Sequence, residues 1–167
     1  MLWKSIAVLL LLLPAQTPDI HYVPTSPGVA DAMLKLAGVT AADTVYDLGS
    51  GDGRIVIAAA KKYGARGVGV EIDAKLVATA RKNAESAGVS DRVRFRQEDL
   101  FKTDLSDATV VTMYLSTTIN LRLRGKLQRE LEPGSRIVSH RFLIGDWTPG
   151  AEERLEGTNI YLWTIPR

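Results

Sequence analysis

The run Val45-Tyr46-Asp47-Leu48-Gly49-Ser50-Gly51-Asp52-Gly53-Arg54 constrains this chain more than any other stretch. It reads as a short strand, a glycine-dense turn and the first turn of a helix. Glycine at alternate positions 49, 51 and 53 permits a tight turn that side chains would block. It also lets a ligand lie against the main chain near the positive end of the following helix. Asp47, at the strand end, is placed to accept a hydrogen bond or face a cation. A nucleotide-like ligand follows as the leading expectation.

The spacing narrows the choice of ligand. A dinucleotide fingerprint requires Gly-x-Gly-x-x-Gly, and its third position here is Arg54, which disfavours a dehydrogenase. The phosphate-cradling Gly-x-x-x-x-Gly-Lys-Ser/Thr loop is absent too. Asp-x-Gly-x-Gly-x-Gly instead resembles motif I of the class I S-adenosylmethionine-dependent methyltransferases. Two further acids stand in the expected order. Glu71 and Ile72 close the apolar run Gly67-Val68-Gly69-Val70, where a carboxylate suits the hydroxyls of a ribose; a solvated strand end is the alternative reading. Asp73 reads as the N-cap of the next helix. Asp99 and Leu100 follow the alternating strand Val93-Arg94-Phe95-Arg96, where an acid can receive the adenine amine.

A chain of 167 residues suits one domain with a real core. Periodicity predicts strands near 44–48, 66–71, 92–96, 108–114 and 135–140, with helices between them. One helix uses Ile55, Ala58 and Ala59. The next uses Leu76, Val77, Ala80 and Ala84 and stops at Gly88, and a later one carries Leu123, Leu127 and Leu131 up to Pro133-Gly134. Strands alternating with helices imply an α/β doubly wound, mostly parallel sheet. Glu152–Leu155 and Asn159–Ile165 have no helix between them and read as a C-terminal antiparallel hairpin, giving a seven-stranded sheet.

Residues 1–18 stand apart from the domain at 19–167. Lys4 followed by Ser5 to Leu13 resembles a secretory signal peptide or a membrane anchor. The run is shorter than the ~20 apolar residues of a spanning helix, and Leu13 makes a poor cleavage site. An apolar helix packed on the domain is the alternative. The expectation is membrane association or export through residues 1–15, with the domain facing the cytoplasm, where the cofactor is made. The chain has no cysteine, so disulfides and thiolate metal sites are excluded, and His21 and His140 form no local metal-ligand pair. A net charge of +2 gives no argument for a nucleic-acid partner. Arg122, Lys126 and Arg129 share a helix face, read as a solvated side.

Substrate choice belongs at the fourth strand end. The Asn/Asp-Pro-Pro-Tyr turn of amino-methylating DNA enzymes is replaced by Thr112-Met113-Tyr114-Leu115-Ser116. Tyr114 either contacts a substrate amine or packs as a core aromatic. His140, Asp146 and Trp147 are rim candidates, with core packing the alternative for Trp147.

Several segments together resemble a narrower family. They are Tyr22-Val23-Pro24-Thr25, Asp47 to Arg54, Val110 to Leu115, Asn120 to Arg124 with Lys126-Leu127, Ile137 to His140, and Gly145-Asp146-Trp147. In this order they resemble the small archaeal protein-lysine methyltransferases and the mitochondrial ATP synthase c-subunit lysine methyltransferases, over roughly residues 20–165. Gly125 departs from the proline common in that family and should loosen its helix. The resemblance implies S-adenosyl-L-methionine as cofactor, a lysine-bearing protein as substrate and direct in-line transfer to a neutral amine. It implies Gly49, Ser50, Gly51 and Gly53 around the methionine moiety beside Asp47, with Glu71 on ribose and Asp99 on adenine. Tyr22 and Thr25 would close over the cofactor, and Tyr114 would orient the amine with Asp146 behind it. Transfer to a small molecule or lipid, or cofactor binding without catalysis, remain as alternatives.

Overall fold

The computed structural model describes residues 22–167. The elements run α1 (Pro27–Leu36), β1 (Thr44–Leu48), α2 (Arg54–Tyr63), β2 (Arg66–Glu71), α3 (Ala74–Ser86), β3 (Val93–Gln97), β4 (Val110–Met113), α4 (Thr117–Glu130), β5 (Arg136–His140), β6 (Ala151–Leu155) and β7 (Thr158–Thr164). Local chemistry sets the helix starts. Ser26, Asp73 and Ser116 each accept a backbone N–H as N-caps of α1, α3 and α4, and Pro27 at the first helical position comes with its backbone already set for α1. Only α2 starts without a side-chain cap, directly out of the left-handed Gly53.

The strands form one seven-stranded sheet in the order β3-β2-β1-β4-β5-β7-β6. Strands β1 to β5 are parallel, and β7 runs antiparallel to both β5 and β6. The expected doubly wound sheet and late hairpin are both present. From β1 the chain winds outward through β2 and β3, then returns to lay β4 against the other side of β1. That reversal opens a crevice between the carboxyl ends of β1 and β4, where such sheets bind ligands.

Alternate residues of each central strand pack into opposite layers. Val45, Val110 and Val138 join α1, α2 and α3 on one face, while Tyr46, Val111 and Ile137 join Leu123, Leu127 and Trp163 on the other. Burial on both faces explains why these strands read as continuous apolar runs. The edge strand β6 exposes Glu152, Glu153 and Arg154, charges that discourage pairing with another sheet.

The hairpin turn is Glu156-Gly157, with φ of 49° and 76°. Two positive φ values match the twist of a two-residue hairpin, but the first position favours Asn, Asp or Gly. Glu156 accepts this conformation while its carboxylate bonds the Ser26 hydroxyl at the start of α1.

The localisation expected from the N-terminal segment is corrected. Among the described residues no helix is long and apolar enough to cross a membrane. Residues 1–18, on which the expectation of an anchor or export rested, lie outside the described residues, as does His21.

Candidate functional site

The glycine turn is held by its own backbone. Gly49 and Ser50 both donate to the Val70 carbonyl at 2.9 Å, and Gly53 donates to Ser50 at 2.9 Å. Gly49, Gly51 and Gly53 have φ of 79°, 52° and 83°, a region that L side chains rarely occupy. Space is short as well. A Cβ on Gly53 would lie 2.5 Å from the Phe95 ring, and one on Gly51 would lie 2.2 Å from the Tyr22 ring. The Tyr22 ring therefore lies against the turn, with 46% of the residue exposed. Ser50 Oγ is buried without a hydrogen-bond partner among the described residues.

Glu71 ties this turn to the end of β2. Its Oε2 accepts from Gly51 N at 3.0 Å, and its Oε1 accepts from Ile72 N at 2.8 Å and Asp73 N at 3.0 Å. A carboxylate offers about four acceptor positions, so three are occupied by the chain itself. A diol donating twice to Glu71 has to displace one of these amides. Asp73 caps α3 through Lys75 N, as its position predicts.

Beneath the turn, Asp47 is 3% exposed and accepts from the Thr112 hydroxyl at 2.7 Å. Burial pushes its carboxyl up to about 7; the Thr112 bond opposes the rise, and Glu71 and Asp52 add to it. Asp52 pairs with Arg54 at 2.7 Å, and Arg54 donates to the Thr25 carbonyl at 2.8 Å. On the neighbouring strand end, Asp99 accepts from Phe101 N at 2.9 Å. Leu100 packs against the second core layer beside Phe101, whose ring lies 4.0 Å below the Arg122 guanidinium.

Across the crevice the structure assembles a second group. The Tyr114 ring, at the end of β4, lies 3.9 Å from the His140 ring at the end of β5 and 6.1 Å from Phe142. Thr25 is turned toward His140, with its Oγ1 3.2 Å from Nδ1. The Tyr114 and His140 rings line an open cavity of about 560 Å³, to which the hairpin contributes Arg154, Glu156, Thr158 and Asn159. Asp146 stands elsewhere. Its side chain is exposed and paired with Arg124, so it points to that cation rather than to Tyr114. Trp147 packs on the core and accepts the Trp163 indole N–H through its carbonyl.

The structure brings the turn, Glu71 and Ile72 together, with Asp47 beneath; sequence reasoning named His140 only as a rim residue. It missed the Thr25–His140 contact, the Thr112 hydroxyl under Asp47 and the part of Glu156 in the cavity. The one available signal was that His140 ends a central parallel strand, the end that faces ligands.

The residues present fit an adenosyl sulfonium cofactor. Glycine at three positions of the turn, an unpartnered buried hydroxyl at Ser50, and acids at 47, 71 and 99 offer contact surface and compensation for a positive charge.

Comparison with known proteins agrees with this geometry. The family described as the ANTKMT methyltransferase domain matches residues 47–151. A protein-lysine N-methyltransferase of Saccharolobus islandicus is 44% identical over 153 residues, covering 89% of this chain and 95% of that protein. The human ATP synthase c-subunit lysine N-methyltransferase is 36% identical over 86% of this chain, which spans 63% of the human protein. Among solved structures, a Salinibacter ruber protein described as an RNA methyltransferase, in complex with S-adenosyl-L-homocysteine, superposes with a TM-score of 0.85. It is 58% identical, over 86% of this chain and 94% of that one.

Proposed function

This chain belongs to the family of the ANTKMT methyltransferase domain, and on that premise we propose how its two groups of residues share the transfer of a methyl group to protein lysine. The protein is an S-adenosylmethionine-dependent methyltransferase of the protein-lysine N-methyltransferase type, as its relatives are. The bound cofactor supplies an electrophilic methyl on a positive sulfur. The observation that carries the division of labour is the cavity walled by Tyr114 and His140 at the same strand ends as the glycine turn.

Gly49, Ser50, Gly51 and Gly53 receive the methionine moiety, with Asp47 as the buried counter-charge. Glu71 and Ile72 bind at the ribose, Asp99 and Leu100 at the adenine, and Tyr22 covers the turn. Thr25 acts through His140 rather than on the cofactor. Tyr114 orients the amine, and alignment of nucleophile, methyl and sulfur supplies most of the rate. Asp146 serves by holding Arg124 at the rim. The acceptor is a lysine on a protein, which enters from the hairpin side.

A second reading, transfer to RNA, draws on the description of the Salinibacter ruber relative. Radiolabelled S-adenosylmethionine, incubated with the protein and cell extract split into protein, RNA, lipid and metabolite fractions, separates the readings. Label in lysine after acid hydrolysis of the protein fraction is expected. Label confined to RNA, lipid or metabolites overturns the lysine assignment.

A further inference from the structure

We infer that His140 is the base that removes the proton from the acceptor lysine, through Nε2. This rests on the lysine reading above and deepens it, because an ammonium has no lone pair with which to attack a methyl group. The imidazole ends β5, lines the cavity and lies against Tyr114 in a tilted contact with ring centroids 3.9 Å apart, beside the position assigned to the amine. Its Nδ1 lies 3.2 Å from the Thr25 hydroxyl. When Nδ1–H donates to Thr25 Oγ1, Nε2 keeps its lone pair, and no hydrogen bond among the described residues engages it. A second hydrogen bond fixes the tautomer in just this way in catalytic histidines.

The surrounding charges keep the imidazole in the unprotonated form that can accept a proton. From its own strand end His140 is faced by Arg141, and from β4 by Tyr114. From the segment before α1 it meets Thr25, whose carbonyl is held by Arg54, and the hairpin contributes Arg154 and Glu156 across the cavity. Burial first, and then Arg141, lower the affinity of the imidazole for protons. The ring is therefore neutral near pH 7. Two arginines against one carboxylate also disfavour a second ammonium in the cavity. Glu156 is the other basic group there, but its carboxylate is engaged by Ser26.

The step balances without any further reactant. One N–H bond of the ammonium breaks, the proton passes to Nε2, and the electron pair stays on nitrogen. That pair forms the new N–C bond as the C–S bond breaks toward sulfur. The imidazolium then returns its proton to water.

The test compares pH–rate profiles of the full chain and His140→Gln, with tritiated S-adenosylmethionine and the total protein fraction of a cell extract, read as label in lysine. The wild-type rate should level off in the neutral range. The H140Q rate should be about 10²-fold lower at pH 7. It should then climb about tenfold per pH unit, closing the gap to a few-fold near pH 8.5, because it draws only on amine already free. Parallel profiles with retained S-adenosylhomocysteine affinity overturn the base role and leave the lysine reading intact. A wild-type protein that labels no lysine at any pH overturns the lysine reading itself, and the base with it. Should H140Q fail to fold, ring nitrogen shifts of wild-type His140 decide. The Nδ1–H tautomer with a free Nε2 at pH 7.5 is expected, and the Nε2–H tautomer contradicts the inference.

Discussion

On the β1–β2 side of the crevice, the groups proposed to meet the cofactor come mostly from residues 47–54 and 71–73, and they are bonded to one another through the main chain. On the β4–β5 side, Thr25, Tyr114, His140 and Glu156 come from four separate segments, and Thr25 and His140 stand 115 residues apart. The two sides also differ in charge: Asp47, Asp52 and Glu71 on one, Arg141 and Arg154 against Glu156 on the other. A site that must accept a permanent cation profits from buried acids. A site that must hold a neutral amine profits from cationic walls, which make the ammonium unfavourable. The same crevice thus gives opposite electrostatics to the two reactants.

Loss of Glu71 should separate the sides most strongly. Glu71→Ala leaves the amides of Gly51, Ile72 and Asp73 without their acceptor. The sequence alone predicts a loss of cofactor affinity with the fold intact. The three bonds add a structural cost, so stability should fall by roughly 2–4 kcal/mol. Calorimetric titration with S-adenosylhomocysteine should show a Kd raised at least about 100-fold, alongside a lower melting temperature. An unchanged Kd would remove Glu71 from the cofactor side.

Asp47 gives the next largest effect, and its sign is fixed by linkage. Its folded pKa, about 7, lies above the unfolded value of 3.8, so the native state holds the proton more tightly. Stability is unaffected below the unfolded value. It declines as pH rises between about 4 and 7, by on the order of 4 kcal/mol in the absence of ligand. Asp47→Asn should flatten this dependence and stabilise the unliganded protein at pH 8 while weakening the cofactor, as denaturant titrations at pH 5 and 8 would measure. A wild-type stability that rises across that window contradicts the burial of this charge.

How far each side was legible in the sequence follows from its construction. Asp47, the three glycines and Glu71 could be read because their geometry depends on neighbours in the chain and on strand ends that periodicity locates. The parallel strands were legible for the same reason: burial on both faces leaves apolar runs such as Val68–Val70 and Val110–Val111. The cavity was not legible. Thr25 meets His140 only because α1 packs beside β5, and Glu156 reaches Ser26 only once the hairpin has paired with β5. Asp146 shows the converse failure: it lies close in sequence to the strand end of β5, yet Arg124 on α4 captures it.

Tyr114→Ala removes the ring against which His140 packs and one cavity wall. Turnover should fall about 10- to 100-fold, while S-adenosylhomocysteine affinity stays within about threefold. A matching fall in cofactor affinity would merge the two sides into one. The smallest change is Gly125→Ala in α4, where a Cβ meets only the flexible end of Arg129, at 3.0 Å. It should add about 0.5–1 kcal/mol of stability and alter neither affinity nor turnover, as thermal melts and the label assay would show.

The division between the two sides is tested most directly by a crystal structure of the full chain with S-adenosylhomocysteine and a lysine-containing peptide mapped from the labelled protein fraction. The expected result is the cofactor sulfur over the glycine turn and the lysine amine entering from the hairpin side, between Tyr114 and His140. A lysine that reaches the sulfur by any other route, with the cavity left free, would contradict that division.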